Sequence, residues 1–177
     1  MQIDPAISWT IAISVAALFA VAAAHKATEW SKFRVVMRNY ELLSHSLVSL
    51  IAALLIVLEA SAAVLLIWEA ARARGALLSV GLLVAYAGAM AINLLRGRVN
   101  LDCGCLGVGR RQPIRWWMVG RNLALAAITL LAAVPTTSRA LGALDVVTII
   151  GAALSLTILY AAYNLLRAAP HAVREGT

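Results

Sequence analysis

The chain has 177 residues, of which 63% are hydrophobic and only 13% are charged. Soluble domains average about 45–50% apolar and about 25% charged residues, so this composition excludes a soluble enzyme, a disordered tail and a disulfide-rich secreted module. The mean hydropathy of +0.88 indicates that lipid is the solvent for most of the chain. The net charge of +7 is typical of a membrane protein with basic cytoplasmic loops. No soluble basic domain remains that would bind nucleic acid.

Five apolar stretches have about the length that a helix needs to cross a bilayer, which is about 20 residues. They are continuously apolar, rich in Ala and Leu, and lack the two-residue alternation of a strand. The stretches run approximately over 7–24, 46–68, 76–95, 116–134 and 146–166. The sequence therefore predicts an all-α fold, an integral membrane bundle of about five transmembrane helices, as a single domain over 1–177.

The third stretch carries small residues at helical spacing. Gly81, Ala85 and Ala89 recur every four positions and therefore share one face of a helix. Small side chains let the backbones of membrane helices approach closely. We expect a neighbouring helix to pack against this face.

The basic residues divide unevenly between the two ends of the predicted helices. Eleven Lys and Arg lie in the polar connection over 25–45, in the loop over 96–115 and in the C-terminal tail, whereas three (Arg72, Arg74 and Arg139) lie at the opposite end. The positive-inside rule then puts the N-terminus outside and the 96–115 loop in the cytoplasm. We expect a multi-pass protein of the plasma membrane of a bacterium, in contact with the lipid bilayer.

The loop over 96–115 contains both cysteines of the chain, Cys103 and Cys105, separated by Gly104. A disulfide between them needs a tight bend, which glycine permits because it reaches positive φ. Such a small ring is expected to be strained, and the arginines of the loop stabilise thiolates. The favoured interpretation is a reversible dithiol/disulfide pair that carries catalysis.

Other interpretations of this loop remain open. The two cysteines also fit a purely structural link or a pair of inert thiols. A zinc site needs two further ligands, for which His25 and His45 are candidates, but Cys-x-Cys is not the usual zinc spacing and no metal is predicted. The glycines of the loop do not follow a strand or form a phosphate-binding pattern.

Two ionisable residues are candidates for a proton relay. Glu59 lies near the middle of the second stretch, where a carboxyl group is costly and marks a relay, a cavity or a bonded partner. We expect it to point into the bundle, near an asparagine (Asn93, Asn122 or Asn164) or another polar atom. His25 ends the first stretch on the side of the cysteines, where it either shuttles a proton or belongs to an interfacial cluster with Lys26, Glu29 and Trp30.

Trp116, Trp117 and Arg121 begin the fourth stretch. Tryptophans at this position are typical of the membrane interface. An alternative interpretation makes them a binding platform for a quinone. Arg121 is expected to reach the surface or to pair with a carboxyl or lipid headgroup. No cofactor is required by the sequence, and a quinone is the one candidate.

Several motifs together resemble the MauE family, the methylamine utilisation proteins grouped with DoxX-like membrane proteins. These motifs are Ala24-His25-Lys26, Tyr40-Glu41-Leu42-Leu43, Leu58-Glu59, Leu94-Leu95-Arg96-Gly97-Arg98, Asp102-Cys103-Gly104-Cys105-Leu106-Gly107, Pro113-Ile114-Arg115-Trp116-Trp117 and Arg121-Asn122-Leu123. The resemblance covers about residues 10–134. It implies a four-helix core, to which the stretch over 146–166 adds a C-terminal helix.

The resemblance also implies a function in thiol redox chemistry. The family is implicated in the maturation of methylamine dehydrogenase together with a thioredoxin-like partner. We therefore expect a membrane thiol–disulfide protein, and enzyme activity as a thiol–disulfide oxidoreductase is left open. The alternatives are a non-catalytic scaffold or assembly subunit of a larger membrane complex, and a quinone-coupled disulfide oxidase. Maturation of an exported enzyme would place the cysteines outside, in conflict with the charge distribution.

Overall fold

The computed structural model describes residues 2–104 and 112–172. These residues form six α-helices and a short 3-10 helix at Glu69–Ala71. The α-helices are α1 (Pro5–Thr28), α2 (Trp30–Asn39), α3 (Val48–Ile67), α4 (Arg72–Leu95), α5 (Trp116–Leu131) and α6 (Ala143–Ala172). The described residues contain no strand beyond two isolated β-bridges. The predicted all-α membrane bundle is confirmed.

Four segments are long and apolar enough to cross a bilayer, namely Pro5–Thr28, Val48–Ile67, Glu69–Leu95 and Ala143–Asn164. Helix α5 is also apolar but has only 16 residues. At 1.5 Å per residue these cover about 24 Å, less than the hydrocarbon core of about 30 Å. Each of the five predicted stretches thus forms a helix, but the fourth is shorter than expected.

Helices α1, α3, α4 and α5 form the bundle. Helix α1 packs on α3, α3 on α4 and α4 on α5, while α6 packs on the outside of α1. The core between them consists largely of alanines around a few larger side chains such as Phe19 and Leu66. Small residues allow the close helix approach by which membrane helices gain van der Waals contact.

Helices α3 and α4 approach each other closely at Gly75. A Cβ atom on Gly75 would stand 2.7 Å from the backbone nitrogen of Leu66, so only glycine fits. The expected contact at Gly81 is wrong, because a Cβ atom there would meet no atom within 4 Å. Gly81 is instead exposed on the surface of α4.

The polar connection over 25–45 contains a helix that hydropathy does not predict. Helix α2 has only ten residues and exposes charged side chains. Its apolar residues Phe33, Val36 and Met37, with Tyr40 just after it, follow the i, i+3, i+4, i+7 pattern of one helix face. This face closes the end of the bundle.

The N-terminus and the connection between α5 and α6 lie at the opposite end. Ile3 forms a parallel β-bridge with Thr136. Arg139 bonds to the carboxylates of Asp4 and Asp145. Asp4 also caps α1 by accepting a hydrogen bond from the amide of Ala6 at 2.8 Å. Hence the segment that carries Cys103 and the start of α1 lie at different ends of the bundle.

Arg72, which the charge count places at the end opposite the basic loops, is the first residue of α4 and is buried. Its guanidinium lies 3.7 Å from the centre of the Trp9 ring, and it donates hydrogen bonds to Leu66 O and Ser8 Oγ. The aromatic face and these oxygens replace water around the charge.

Candidate functional site

Glu59 lies inside the bundle and its side chain is only 1% exposed. It forms a salt bridge with Lys26 of α1. Tyr86 of α4 donates a hydrogen bond to the same oxygen, Oε1, at 2.8 Å. Three helices thus meet in one polar group, here called the Lys26–Glu59–Tyr86 triad.

The expected inward orientation of Glu59 is confirmed, and of the two expected kinds of partner it has polar atoms of other helices rather than an asparagine. Asn93 donates to the carbonyl of Ala89 on its own helix, and Asn164 bonds to Arg121. A protonated amine compensates a buried carboxylate better than a neutral amide, because opposite charges attract strongly at low dielectric. The position of Lys26, on the inner face of α1, decides the pairing.

Lys26 does not belong to the expected interfacial cluster. Its side chain is 5% exposed. Besides Glu59, its Nζ contacts Tyr86 Oη at 3.3 Å and lies 4.7 Å and 5.3 Å from the ring centres of Tyr86 and Phe33. The two aromatic rings stabilise the ammonium group where water is excluded.

The triad lines a central cavity of about 340 Å³. Its wall is mainly apolar and comes from all six α-helices and the segment after α4. The polar residues of the wall are the triad with Tyr40, Cys103, Arg121, Asn122 and Tyr160. A mainly apolar cavity with a few converging polar groups is typical of a small-molecule site.

Cys103 follows α4, next to the antiparallel β-bridge between Asp102 and Pro113. Its amide donates to the carbonyl of Gln112 at 2.9 Å, and the amide of Ile114 donates to the carbonyl of Leu101 at 2.9 Å. Cys103 Sγ lies 4.0 Å from Met90 Sδ and contributes to the cavity wall. Since Met90 follows Tyr86 by one helical turn, about 6 Å of helix separates the cysteine contact from the triad.

Gly104 has the positive φ that the sequence predicts, at +65°. Its amide donates to Asp102 Oδ1 at 3.2 Å, and a Cβ atom on it would lie 3.0 Å from Val36 Cγ1. Gly104 therefore lets the loop bend and approach α2. Cys105 lies outside the described residues, so the predicted pairing of Cys103 with Cys105 stays a prediction.

Tyr40 stands beside this loop. Its hydroxyl is buried and has no hydrogen-bond partner among the described residues. Burial raises the pKa of Tyr40 well above its ordinary value, and the charge of Asp102 adds to this effect. The Tyr40 hydroxyl therefore stays protonated at physiological pH.

His25 does not line the cavity. It is half-buried at the end of α1, and its carbonyl accepts bonds from the amide of Glu29 and the hydroxyl of Thr28. Its neighbour Lys26 takes the inward position instead. No three His, Cys, Asp or Glu side chains among residues 2–104 and 112–172 are grouped closely enough to hold a metal.

Trp116, Trp117 and Arg121, at the start of α5, lie in three different environments. Trp116 is 56% exposed. Trp117 packs edge-to-face on Tyr163 of α6, with ring centres 5.6 Å apart. Arg121 is half-buried, bonds to Asn164 rather than to a carboxyl group, stacks near Trp117 and lines the cavity.

Sequence reasoning alone does not identify the roles of Lys26 and Tyr86. A signal for Lys26 is present, since Ala12, Phe19 and Lys26 recur every seven residues on one face of α1. Lys26 therefore continues the buried face. The inward position of Tyr86 has no comparable signal, because apolar residues surround it on every side of α4.

Comparison with known proteins agrees with the geometry. The family model described as "Methylamine utilisation protein MauE" matches residues 4–136, which include α1 to α5, the triad and the cysteine loop. The chain belongs to the MauE family. Helix α6 lies beyond the residues matched by the MauE model.

Three relatives named "Methylamine utilization protein MauE" show how far the similarity extends. The protein of Paracoccus denitrificans is 39% identical over 128 residues, 72% of this chain and 69% of that protein. The protein of Paracoccus versutus is 38% identical over 168 residues, 94% and 90% of the two chains. The protein of Methylophilus methylotrophus is 32% identical over 169 residues, 92% and 87%. No solved structure matches the chain.

The apolar helices and the bacterial relatives together describe a multi-pass bacterial membrane protein of the MauE family. Lipid surrounds the exposed leucine, isoleucine and valine side chains of its helices.

Proposed function

We propose that this MauE-family protein is a membrane thiol–disulfide redox protein that uses Cys103 and Cys105 with a thioredoxin-like partner. One observation supports the proposal most strongly. Cys103 lies in the wall of the cavity that also contains the buried Lys26–Glu59–Tyr86 triad. A purely structural cysteine needs neither a cavity nor a buried ionisable group beside it.

The exchange step balances within the two proteins. When the partner arrives with two thiols, one of its thiolates attacks the disulfide between Cys103 and Cys105 and forms a mixed disulfide. The partner's second thiol then attacks the mixed disulfide, so that the partner leaves with an S–S bond and Cys103 and Cys105 become thiols. Two electrons pass from the partner to this pair, and the two cysteines take up the two protons that the partner's thiols release.

The triad is proposed to support this step by holding protons and charge near the cavity. Glu59 and Lys26 exchange a proton only within the buried group, which keeps their total charge near zero. We propose that a proton released at Cys103, when the pair returns to the disulfide, crosses the cavity to this group. Glu59 thus keeps its predicted role in a relay, and Lys26 rather than His25 supplies its partner.

The names of the relatives indicate the process in which the chain is used. We propose that it supports methylamine utilisation by assisting maturation of a redox enzyme such as methylamine dehydrogenase, with the cysteine loop on the cytoplasmic face. The charge distribution favours this orientation.

Serine substitution tests the proposal in a bacterium that grows on methylamine and lacks its own copy of the gene. The single variants C103S and C105S are each expected to abolish growth on methylamine as completely as the double variant, because a redox pair acts as a unit. The matched control is V99S, which places serine at an exposed position of the same segment and is expected to support growth. Equal amounts of each variant in the membrane must be verified by immunoblot.

Growth of the double variant at the rate of V99S would overturn the redox proposal. It would favour the scaffold, whose function does not need the thiols.

A further inference from the structure

We infer that the central cavity binds the head group of a lipid-soluble quinone, which accepts electrons from the cysteine pair. This inference rests on the proposed function and deepens it by naming the electron acceptor and its site. The site consists of the Lys26–Glu59–Tyr86 triad, Met90 and Cys103.

The shape and wall of the cavity favour a small lipophilic ligand. Its volume of about 340 Å³ is within the range of about 300–1,000 Å³ that is usual for small-molecule sites. Most of the wall is apolar, with side chains such as Leu18, Ile51 and Leu55. Since the cavity lies among membrane-spanning helices, a ligand that is soluble in lipid reaches it from the bilayer.

The polar end of the cavity offers one donor and one acceptor. An ammonium group has three N–H donors, and Lys26 has two described oxygen acceptors, Glu59 Oε1 and Tyr86 Oη. Glu59 Oε2 is buried and has no hydrogen-bond partner among the described residues. A quinone carbonyl accepts from the remaining N–H of Lys26, and the hydroxyl of the reduced quinol donates to Glu59 Oε2.

Such a ligand also joins the two chemical parts of the cavity. Cys103, which contacts Met90 of α4, is the electron source. The triad, which holds the protons, includes Tyr86, about one helical turn before Met90. The two cysteine thiols lose two electrons and two protons as their S–S bond forms. The quinone gains the same two electrons and two protons, and its two carbonyl groups become hydroxyl groups.

The wall fits other occupants less well. Flavin and nicotinamide carriers bring phosphates, whereas the described wall has only two cations, of which Lys26 is paired with Glu59 and Arg121 alone lacks an acidic partner. A lipid acyl chain would leave Glu59 Oε2 without a donor, at the cost of an unpaired buried acceptor. The inferred site also differs from the predicted platform, because Trp116 is exposed and does not line the cavity.

Photolabelling of the wild-type protein in phosphatidylcholine nanodiscs tests the site without any redox reaction. The probe is an azido-substituted ubiquinone analogue with a short side chain, and labelled peptides are located by mass spectrometry. We expect saturable labelling of cavity residues on α1, α3 and α4. Excess decylubiquinone should abolish it, whereas decylbenzene, which has the same chain without carbonyl oxygens, should not.

A pair of variants sharpens the result. A89F fills the cavity from α4 and is expected to lose the label, whereas A53F places the same side chain on the exposed face of α3 and should keep it. Labelling that spreads over lipid-facing residues, lies at Trp116 and Trp117, or is displaced equally by decylbenzene would overturn the inference. Because the wild-type pattern decides these outcomes, a folding defect in A89F does not obscure them.

The two proposals fail separately. Absence of cavity labelling combined with loss of growth in C103S removes the quinone and leaves the thiol function in place. Cavity labelling combined with normal growth of the cysteine variants removes the thiol function itself.

Discussion

The salt bridge between Lys26 and Glu59 determines what each residue contributes. Both side chains are almost completely buried, where either charge alone would be costly. Tyr86 adds a hydrogen bond to the carboxylate at 2.8 Å. Each side chain therefore depends on the other, and removing one of them should leave the charge of the other buried without compensation.

We predict that K26M lowers the free energy of unfolding by about 3–5 kcal/mol, because it leaves Glu59 buried without its cation. The double variant K26M/E59L should lose less, since an apolar pair leaves no charge in the core. Equilibrium unfolding in mixed detergent and sodium dodecyl sulfate measures both values.

The control for this prediction is K32M. Lys32 pairs with Glu29 on the exposed side of α2 at 2.7 Å, and exposed pairs on helices contribute only about 0.3–0.5 kcal/mol. Equal stability of K26M and K32M would show that the buried pair is not needed.

Glu59 shows how far sequence reasoning reaches at the residue scale. Its burial follows from the position of a carboxyl group in the middle of an apolar stretch. Its partner does not follow, because Lys26 stands next to His25 at the end of a stretch, where lysine usually extends to the interface. Only the packing of α1 against α3 turns Lys26 inward.

At the scale of elements, the corner between α3 and α4 depends on Gly75. We predict that G75A destabilises the protein by about 1–3 kcal/mol, the usual range for forcing extra atoms into a packed core. The new Cβ would lie 2.7 Å and 2.8 Å from backbone atoms of Leu66 and Leu65, which cannot rotate away. The same unfolding assay measures the loss.

G81A is the matched control on the same helix. Because nothing lies within 4 Å of its new Cβ, we expect no loss of stability, and alanine favours the helix by about 0.5–1 kcal/mol over glycine. A larger loss for G81A than for G75A would contradict the packing described for α4.

The bonds of Arg139 connect the start of α1 to the segment before α6. The hydrogen bond from Arg139, aided by the amide of Ala6, holds the pKa of Asp4 below its ordinary value of 3.8. A carboxylate whose pKa is lowered in the folded state stabilises that state above its unfolded pKa, and loses this effect as pH falls through the folded pKa.

We therefore predict that the wild-type protein is more thermostable than R139Q at neutral pH and that this difference shrinks as the pH falls below 3.8. Thermal melts in detergent across this range measure the difference. A difference that grows on acidification would contradict the role assigned to Asp4. Asp145 shares Arg139 at 2.9 Å, so D4N should weaken the pH dependence without removing all of it.

Helix α2 is the helix that the hydropathy of the sequence does not predict. The long apolar helices follow from hydropathy, because lipid requires that every backbone polar group be bonded within the helix. Helix α2 is short and charged on its outer side, so hydropathy treats it as a loop. The spacing of Phe33, Val36, Met37 and Tyr40 carries its signal, but that signal is recognisable only when helical periodicity is tested separately.

For the whole molecule, the ends of the bundle agree with the arrangement predicted from the sequence. Ser44 lies at the end that carries Cys103, while Ser138 lies beside Arg139 at the other. Which end faces the cytoplasm is decided by the distribution of basic residues between the two ends. Two of the residues counted, Lys26 and Arg72, are buried and engaged by other residues.

We predict opposite labelling of these two ends. In a background with both natural cysteines replaced by serine, S138C should react with a membrane-impermeant maleimide in intact cells, and S44C should react only after the cells are opened. The reverse pattern would place the cysteine loop outside, and labelling of both in intact cells would contradict the helix arrangement.

The redox behaviour of Cys103 and Cys105 underlies the whole functional interpretation. Ring closure across a single glycine is strained, and the arginines of the loop favour the thiolates, so both effects shift the potential in the oxidising direction. A redox titration of the purified protein in glutathione buffers, quantified by alkylation and mass shift, measures that potential. We predict one reversible two-electron transition above about −300 mV, the level below which structural disulfides typically lie. A potential below this level, or no transition at all, would contradict a redox function for the pair.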